Sequence, residues 1–421
     1  MSPERKAVWQ ENGLVMSKVA VIGAGAAGLM AAYAAAKNGN EVVVFDKNEK
    51  AGKKIYITGK GRCNVTNNTT PEGFLDNVVH GRKFLISSIY AFSPARTIQF
   101  LEEGGLPLKT ERGNRVFPAS DKASDVTKCL ERYCKNANVI FRFLEGVTEI
   151  LCDTSRDFLV RTHKDALHFD KVIVCTGGVS YPATGSTGDG YKFAESCGLR
   201  VNPLRPALCG IACDMNGLGE LQGLQLKNVH VSALQNGRPI HGFFGEMLFT
   251  HFGVSGPIVL SLSSLLNEAP MRDVTLLIDL KPALDETVLD KRLLRDFETR
   301  KNKKIVNALD ALLPKSIIVP VLVRAGISSE TPVNNLTKEQ RASLIKTIKA
   351  FPLHNCKLRP IEEGIVTAGG VDLKEINPKT MESKKVPGLF FCGEVLDLDA
   401  LTGGFNLQIA FSTGYAAGNS I

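Results

Sequence analysis

The chain has few of the features that mark secreted or metal-binding proteins. Its ten cysteines include no CxxC pair and no zinc-like spacing, so we expect free thiols, a reducing compartment and no bound metal. Cys129 and Cys134 have the CxxxxC spacing of some redox-active disulfides. They lie in a predicted helix, however, where residues five apart point about 140° away from each other. A dithiol site is therefore not expected there.

Long apolar runs are also scarce. Residues 19–36 carry no charge, which brings this run to the length of a membrane span. Its three closely spaced glycines, and its change from β-branched residues to alanines, indicate a strand followed by a helix instead. No small-residue cleavage site follows it. We expect a cytoplasmic protein with no membrane partner, and we expect residues 1–15, which hold the only tryptophan, to be a dispensable extension.

Charge of one sign is only moderately in excess. The formal net charge of +8 would suit an anionic substrate, an anionic cofactor or a nucleic acid. The positive charges are spread widely, and the densest run, residues 300–304, is interpreted as the solvated face of a predicted helix. We therefore expect a small-molecule substrate rather than a nucleic acid. No repeats or low-complexity segments occur, and 421 residues are enough for two or three domains.

The most informative segment lies near the N-terminus. A run rich in β-branched residues leads into Gly23-x-Gly25-x-x-Gly28, an alanine-rich helix follows, and a second apolar run ends in Asp46. This order of strand, glycine turn, helix, strand and acid is typical of dinucleotide binding. The glycines allow a tight turn, close approach to the pyrophosphate and close packing of the helix, whose N-terminus attracts the anion. The acid is placed to meet a ribose hydroxyl.

The C-terminal segment has a similar character. Residues 386–418 contain a strand, a glycine turn, an acidic loop and a helix that begins near Asn406. The positive end of that helix would stabilise negative charge on a bound ligand. A chain that opens and closes on nucleotide-type segments is typical of an FAD protein with a discontinuous cofactor domain. A helix N-terminus aimed at the reduced flavin would raise its reduction potential.

Between these segments the pattern changes twice. Helices are predicted at 82–91 and 94–103, with Ser93 as the N-cap of the second, and strand-like runs at 139–150 and 157–163 lead to a buried strand at 171–178. From about residue 200, short alternating runs indicate an antiparallel barrel, and amphipathic helices follow. The alternating runs are residues 207–213, 229–235, 240–249 and 274–280, and the helices are residues 286–313 and 337–349. Thr337 and Gln340 form a possible capping box.

The predicted fold is thus α/β. A Rossmann-like FAD-binding domain, discontinuous over residues 1–200 and 356–421, is interrupted by an insert at 201–355. The insert combines a small β-barrel, at about 201–281, with a helical subdomain at about 282–355.

Several long segments resemble the BaiN-like family of bacterial NAD(P)/FAD-dependent flavoprotein oxidoreductases. The likeness extends over about residues 17–418 and is strongest in AGKKIYITGKGRCNVTN (51–67), GEMLFTHFGVSGP (245–257), NRVFPASDKASDV (114–126), TGGVSYPATGSTGDG (176–190) and VPGLFFCGEVLDLDALTGGFNLQIAFSTG (386–414). The resemblance implies the same discontinuous FAD domain with an inserted barrel and helical subdomain. One departure is Lys60, which replaces a glycine of the usual run and adds a positive charge near the phosphates.

The resemblance also implies which residues contact FAD. The pyrophosphate would be contacted by Gly23, Gly25, Ala26, Ala27 and Gly28, and the ribose by Asp46 and Lys47. Arg62, Cys63 and Asn64 would lie near the phosphates or flavin, Val147 would contact the adenine, and Thr176 and Gly177 would close over the nucleotide. The ribityl chain and the ring would be held by Gly393, Glu394, Asp397, Asn406, Leu407, Gln408 and Ile409. Cys63 beside Arg62 is expected to be a buried thiol rather than a reactive thiolate.

The expected activity is hydride transfer through FAD from NAD(P)H to an organic substrate. Some relatives are associated with bile-acid metabolism, which implies reduction of a C=C bond conjugated to a carbonyl. Tyr181 is a candidate proton donor, with packing under its loop as the alternative. His251 is a second candidate, with a structural role between barrel and helix as the alternative. The glycines at 185–190 lack the acidic strand end of a second dinucleotide site, so NAD(P)H is expected to bind transiently.

Two other functions stay open. The positive charge and the flavin fold are compatible with an FAD-dependent RNA-modifying protein, which would need a continuous basic groove beside the flavin. A flavin-binding regulatory protein without rapid turnover is the second alternative. The sequence does not specify the substrate, the choice between NADH and NADPH, or the oligomeric state.

Overall fold

The computed structural model describes residues 16–152, 157–268, 271 and 273–421. The predicted extension at 1–15, with Trp9, lies outside them. The chain divides into two compact units. The first comprises Met1–Arg205 and Val366–Ile421, and the second comprises Pro206–Ile365. The second unit thus overlaps the stretch in which the sequence predicts an insert.

Twenty-two strands and twelve α-helices make up the described part of the chain. The strands are β1 (Lys18–Ile22), β2 (Glu41–Phe45), β3 (Thr66–Asn67), β4 (Val78–His80), β5 (Leu108–Glu111), β6 (Arg115–Pro118), β7 (Ile140–Arg142), β8 (Val147–Cys152), β9 (Phe158–Thr162), β10 (Ala166–Phe169), β11 (Lys171–Val174), β12 (Val201–Ala207), β13 (Ile211–Ala212), β14 (Gln225–Gln235), β15 (Arg238–Thr250), β16 (Gly253–Ser255), β17 (Val274–Asp279), β18 (Phe351–Leu353), β19 (Lys357–Leu358), β20 (Val366–Val371), β21 (Leu389–Phe391) and β22 (Asp399–Ala400). The helices are α1 (Ala26–Lys37), α2 (Pro71–Leu75), α3 (Arg82–Ala91), α4 (Pro94–Glu103), α5 (Ala123–Asn136), α6 (Asp189–Ser196), α7 (Pro257–Leu266), α8 (Glu286–Glu298), α9 (Ile305–Ala308), α10 (Lys315–Arg324), α11 (Lys338–Lys349) and α12 (Phe405–Asn419).

A five-stranded parallel sheet forms the centre of the first unit. Its strand order is β21-β11-β1-β2-β7, and every pairing is parallel. The valines of β1 and β2 are almost fully buried, as expected for a sheet covered on both faces. In the register, Ile22 is paired with both Phe45 and Val174. The residues that follow these strands therefore share the carboxyl edge, where ligands bind in such folds. This sheet confirms the predicted Rossmann-like α/β fold.

Helices α1 and α12 pack against each other through small residues, although they come from opposite ends of the chain. A Cβ atom at Gly414 would lie 2.4 Å from the Ala27 oxygen, and one at Gly418 would lie 2.2 Å from the Ala31 oxygen. Because Gly414 meets Ala27 and Gly418 meets Ala31, the two helices are parallel. Phe405, which precedes Gly414 by more residues than Ala26 precedes Ala27, therefore lies about 12 Å before the start of α1 along the common helix direction, at a rise of 1.5 Å per residue.

Smaller sheets surround the central one. β3, β5 and β6 form an antiparallel sheet, β8, β9 and β10 form another, and β12 pairs with β20, as β4 does with β22. The predicted strand at 139–150 is corrected here. It is divided into β7 and β8, which belong to different sheets, because Leu144 has a positive φ of 51° that no regular strand accommodates.

The second unit contains a seven-stranded antiparallel sheet of order β18-β17-β14-β15-β16-β13-β19. Its two outer strands are consecutive in the chain, joined by residues 354–356. The four Cα–Cα steps from Leu353 to Lys357 span at most about 14 Å. The two edges of the sheet are therefore close together, as in a barrel. Helices α7 to α11 and the sheet share one apolar core of Leu, Ile, Val and Phe side chains.

The helical part of this unit differs from the prediction. The single helix predicted at 286–313 is two helices, α8 and α9, and α10 follows with Pro320 inside it. The basic run at 300–304 lies in the turn between them, rather than on a helix face. Arg300 explains the break, because its Nη1 donates to the backbone oxygens of Asn307 and Ala308 and also binds Asp310. The capping box of Thr337 and Gln340 is confirmed.

Among the residues that the structure describes, no helix is long and apolar enough to cross a membrane.

Candidate functional site

The glycine turn between β1 and α1 leaves room for a ligand. A Cβ atom at Gly23 would lie 2.6 Å from the Cys175 oxygen, and one at Gly28 would lie 1.8 Å from the Gly23 oxygen, whereas one at Gly25 would meet no atom within 4 Å. Gly25 is the N-cap of α1 and provides no side-chain cap. The first N–H groups of α1, from Ala26 and Ala27, therefore lie at an uncapped helix N-terminus, which suits an anionic group.

Asp46 lies at the end of β2 beside this turn. Its Oδ2 accepts a hydrogen bond of 2.7 Å from the Ala24 N–H, and its Oδ1 accepts bonds from the backbone and side chain of Asn48. The carboxylate therefore fixes the turn, and Oδ2, which accepts a single bond, retains acceptor capacity for a ribose hydroxyl. Lys47 binds Thr187 and Asp189 instead. Burial raises the pKa of Asp189, but the hydrogen bond and charge of Lys47 outweigh it and the pKa is lowered.

The segment at 62–64 places three predicted contacts in different surroundings. Arg62 forms ion pairs with Glu111 and Asp121 and lies 4.3 Å from the ring centre of Phe117, so its charge is already countered by protein groups. Cys63 is fully buried, and burial raises its pKa to about 12, which confirms a buried thiol rather than a reactive one.

Asn64 differs from its two neighbours. Its Oδ1 is buried and has no hydrogen-bond partner among the described residues. A Cβ atom at Gly404, the N-cap of α12, would lie 2.9 Å from it. An unpaired buried oxygen is costly, and this one lies at the helix end where the flavin ring is expected.

The start of α12 is uncapped, as the start of α1 is. Gly404 has a φ of 96° and provides no side-chain cap. Asn406 fixes the preceding strand, because its Oδ1 accepts from the Ala400 N–H and its Nδ2 donates to the Ala400 oxygen. The N–H groups of the first turn of α12 therefore lie at a second positive helix end.

Gln408 and Ile409 are buried inside the first unit. The Gln408 amide donates to the Phe92 oxygen and to Ser412, and it accepts from Thr66. Its polar side-chain atoms are therefore used within the protein. Leu407, between Asn406 and Gln408, is only half-buried.

The acidic loop after β21 lies beside the start of α1. A Cβ atom at Gly393 would lie 2.7 Å from Ala27 Cβ, and Thr413 of α12 accepts a hydrogen bond from the Gly393 N–H. Asp397 accepts from the Gly369 N–H and from Asn202. These contacts bring the third predicted segment against the start of α1 and the middle of α12.

Glu394 belongs to a polar cluster that sequence reasoning missed. Lys54 Nζ lies 3.0 Å from each Glu394 oxygen and 2.6 Å from Ser180 Oγ. Ser180 and the Thr367 N–H also donate to Glu394. Lys54 lies in the glycine-rich segment at 51–67. Its place in that segment was the one feature of the sequence that could have identified it as a residue of the site. Ser180 and Thr367 carry no sequence signal that separates them from ordinary polar residues.

Three further predicted contacts lie at or near the carboxyl edge of the sheet. Thr176 follows β11, and its buried Oγ1 has no hydrogen-bond partner among the described residues. Gly177 has a φ of 73°, and a Cβ atom there would lie 3.0 Å from Ser186 Oγ. Val147 begins β8, directly after Gly146, where an added Cβ would lie 3.2 Å from Lys47 Cβ. The adenine contact predicted at Val147 is therefore next to the predicted ribose contact.

The residues present fit a dinucleotide such as FAD. Two uncapped helix N-termini point the same way and are offset by about 12 Å along their common direction. One lies at the glycine turn, and the other has an unpaired Asn64 oxygen beside it. An elongated ligand with an anionic centre and an electron-accepting ring is complementary to this arrangement.

The two candidate proton donors have different surroundings. Tyr181 is 38% exposed and has a φ of 49°, a conformation that bulky residues rarely adopt and that is concentrated at functional sites. His251 belongs to the second unit, in the tight turn between β15 and β16, where it is exposed and its ring meets that of Phe252 edge-on at 5.1 Å.

The cysteines of the described residues are all free thiols. Cys129 faces the Leu101 and Gly104 oxygens, whereas Cys134 faces the Leu29 oxygen, so the two thiols point to different neighbours along α5. Over the described ranges, no group of His, Cys, Asp and Glu side chains is arranged to hold a metal ion.

Comparison with known proteins gives matches over nearly the whole chain. The family model described as "HI0933-like protein Rossmann domain" matches residues 17–420. A 3-dehydro-bile acid delta(4,6)-reductase of Clostridium scindens is 30% identical over 412 residues, 96% of this chain and 99% of its own. A ribosomal RNA dihydrouridine synthase of Escherichia coli is 32% identical over 405 residues, 95% of this chain and 97% of its own.

A solved structure shows the same fold. The 3-ketosteroid-delta4-(5alpha)-dehydrogenase from Rhodococcus jostii RHA1 is similar with a TM-score of 0.54 at 14% identity, covering 100% of this chain and 98% of that one.

Proposed function

The chain belongs to the HI0933-like family, a family of FAD-dependent oxidoreductases, and from this premise we propose that it reduces a carbon–carbon double bond conjugated to a carbonyl. The BaiN-like resemblance of the sequence is thereby confirmed. Bound FAD would supply the hydride transfer, and NAD(P)H is the proposed source of electrons, bound transiently.

The names of the two relatives support this reaction class. A delta(4,6)-reductase acting on a 3-dehydro bile acid removes unsaturation conjugated to the 3-oxo group. A dihydrouridine synthase saturates the C5–C6 bond of a uracil ring, which is conjugated to the C4 carbonyl. Both reactions add a hydride to the carbon distant from the carbonyl and a proton to the carbon beside it. The proposal therefore rests on a chemistry that the two relatives have in common.

The pair of offset helix N-termini is the structural observation that supports FAD binding, on which the proposed reaction depends. When bound, FAD supplies the hydride transfer. The N–H groups at the start of α1, with Gly25 leaving the space open, would hold the pyrophosphate, while Asp46 would accept from the ribose. The start of α12 would face the ring, where it would favour the negative charge that arises on reduction, and the unpaired Asn64 oxygen would accept a hydrogen bond from an N–H group of the ring.

Tyr181 remains the proposed proton source. Its phenol is partly exposed, in the glycine-rich loop that also contains Ser180 of the Glu394 cluster. Its Oη would pass a proton to the substrate carbon and recover one from water. His251 is the weaker candidate, since it lies in the second unit in an exposed turn.

Two substrate classes fit the proposed reaction. A steroid-like enone is the first, supported by the bile-acid reductase relative. A uridine in RNA is the second, and it would need the widely spread positive charge of the chain to form a continuous basic surface for the phosphate backbone. This second class also matches the name of the E. coli relative.

The first experiment is an anaerobic visible spectrum of the purified protein, before and after NADH and then NADPH. Flavin bands that bleach within seconds support the proposal, and reoxidation is then followed with 3-oxo-Δ4 steroids and with uridine-containing RNA. The control is the Tyr181→Phe variant, which should keep the rate of bleaching and lose the rate of substrate-driven reoxidation. Protein that takes up no flavin even after FAD is added would refute the proposal.

A further inference from the structure

A buried cluster of charged residues next to α12 has no role so far. Asp399, in β22, has no exposed surface, and its Oδ1 binds Nδ1 of His80 in the paired strand β4. Its other oxygen, Oδ2, has no hydrogen-bond partner among the described residues. Arg205 of β12 has a buried Nε–H that also has no partner there. A buried polar atom without a partner needs an explanation, and these two are the ones in the described part of the chain that belong to charged side chains.

His80 orients the Asp399 carboxyl group and leaves its second oxygen, Oδ2, without a donor. Burial raises the pKa of Asp399 above its usual range, although the hydrogen bond from His80 and the charges of His80 and Arg205 oppose this. Asp397, the neighbouring carboxyl group, is satisfied by the Gly369 N–H and Asn202. Of these two side chains, Asp399 is therefore the one with an unpaired oxygen.

The cluster lies at the end of α12 that is expected to meet the flavin ring. Ala400, the next residue after Asp399, is held at both its N–H and its oxygen by Asn406 in the first turn of α12. Asp399 is thus adjacent in the chain to a residue that two hydrogen bonds connect to the first turn of α12. On the strand side, a Cβ atom at Gly81, directly after His80, would lie 3.5 Å from the Asp397 oxygen, so β4 approaches the same loop.

We propose that Asp399 and Arg205 bind the imide edge of a planar ring. An imide presents an N–H donor flanked by carbonyl acceptors, which matches the unpaired Asp399 oxygen together with the unpaired Arg205 N–H of β12, the strand whose Asn202 binds neighbouring Asp397. Asp399 Oδ2 accepts from the ring N–H, and Arg205 Nε donates to a neighbouring carbonyl. His80 is a positioning residue that fixes the carboxylate.

Two rings relevant to the proposed function, on which this inference rests, carry such an edge. One is the pyrimidine part of the flavin ring, and the other is the uracil base of an RNA substrate. A steroid has no imide. If the cluster binds the substrate, the substrate is therefore a uracil base rather than a steroid. If the cluster binds the flavin, it gives no information about the substrate.

Methylation of the ring nitrogen tests the contact directly, because it removes the donor and leaves the rest of the ligand. Deflavinated protein is titrated with FAD and with 3-methyl-FAD, followed by quenching of flavin fluorescence. The FAD-loaded protein is titrated with a short RNA containing uridine or 3-methyluridine. One hydrogen bond to a charged group predicts a loss of roughly 10- to 100-fold in affinity for the methylated form.

Variants assign the loss to the cluster. Asp399→Ala removes the acceptor and makes room for the methyl group, so this variant should bind both forms of the ligand equally. Asp372→Ala is the matched control, a buried carboxylate of the same unit that should discriminate as the wild type does. If Asp399→Ala does not fold, as judged by circular dichroism, Arg205→Met takes its place and should weaken binding of the unmethylated form by roughly 5- to 30-fold.

Each outcome has one meaning. Discrimination in the FAD pair assigns the cluster to the flavin, and discrimination only in the RNA pair assigns it to a uracil substrate. Wild-type protein that binds both members of both pairs equally, or discrimination that survives Asp399→Ala, overturns the inference. Failure to bind FAD at all refutes the proposed function, and the RNA pair is then titrated against the protein without FAD to test the cluster.

Discussion

The close packing of α1 and α12 predicts that Gly414→Ala damages the cofactor site from a distance. The added Cβ would lie 2.4 Å from the Ala27 oxygen. An ordinary contact is about 1 Å longer, since carbon atoms pack at roughly 3.5 Å. The two helices must therefore separate by about this amount, and the start of α12 moves relative to the start of α1.

The expected magnitude has two parts. Overpacking costs about 1–3 kcal/mol, and alanine recovers up to about 1 kcal/mol through its higher helix propensity, so the free energy of unfolding falls by about 1–2 kcal/mol. Displacing positioned groups by about 1 Å can cost roughly 100-fold in rate. We therefore expect a small fall in Tm, of about 2–8 °C at roughly 2–4 °C per kcal/mol, with a much larger loss of activity.

The assay combines differential scanning calorimetry, FAD titration and the rate of flavin bleaching. Gly219→Ala is the matched control, because a Cβ atom there meets nothing within 4 Å, and it should change none of the three. A Gly414→Ala protein with FAD affinity and rate within twofold of the wild type would refute the coupling between helix packing and the two N-termini.

Three further predictions concern single side chains. Gly28→Ala places a Cβ 1.8 Å from a backbone oxygen of the glycine turn, so the protein should purify without flavin colour, and a normal visible spectrum would contradict this. Iodoacetamide at pH 8 should label exposed Cys152 and spare Cys63, whose burial raises its pKa to about 12; equal labelling in peptide mass spectrometry would contradict it. The hydrogen bond from Arg62 lowers the pKa of Glu111, so its stabilisation is present above the ordinary carboxyl pKa of about 4.3 and is lost as pH falls. The difference in unfolding free energy between wild type and Arg62→Gln should then shrink from pH 7 to pH 3 in urea titrations, and an unchanged difference would count against the pairing.

Elements defined by local signals were predictable from the sequence. The helices predicted at 82–91 and 94–103 are α3 and α4 with those bounds, because their ends are set by short-range contacts such as the bond from the Arg96 N–H to Ser93 Oγ. The glycine turn after β1 was likewise predictable, because its glycine spacing between a strand and a helix is typical of dinucleotide binding and because Gly28 faces the nearby Gly23 oxygen.

Features that depend on distant partners were not predictable in this way. The break between α8 and α9 depends on the hydrogen bonds that Arg300 donates to the backbone oxygens of Asn307 and Ala308. The Lys54–Glu394 pair joins residues 340 positions apart, and the Asp399–His80 pair joins residues 319 apart. A single histidine in a short strand gives no periodic or motif signal, so only the folded chain shows that it meets a carboxylate.

The parallel contact of α1 and α12 has a consequence for synthesis on the ribosome. The second unit is continuous in the chain and can fold as soon as it emerges. The first unit needs β21 and α12, which are translated more than 350 residues after α1, and contacts of such long range slow folding. The predicted dinucleotide site is therefore completed last, and cofactor capture becomes a late step that requires α12 to have been synthesised.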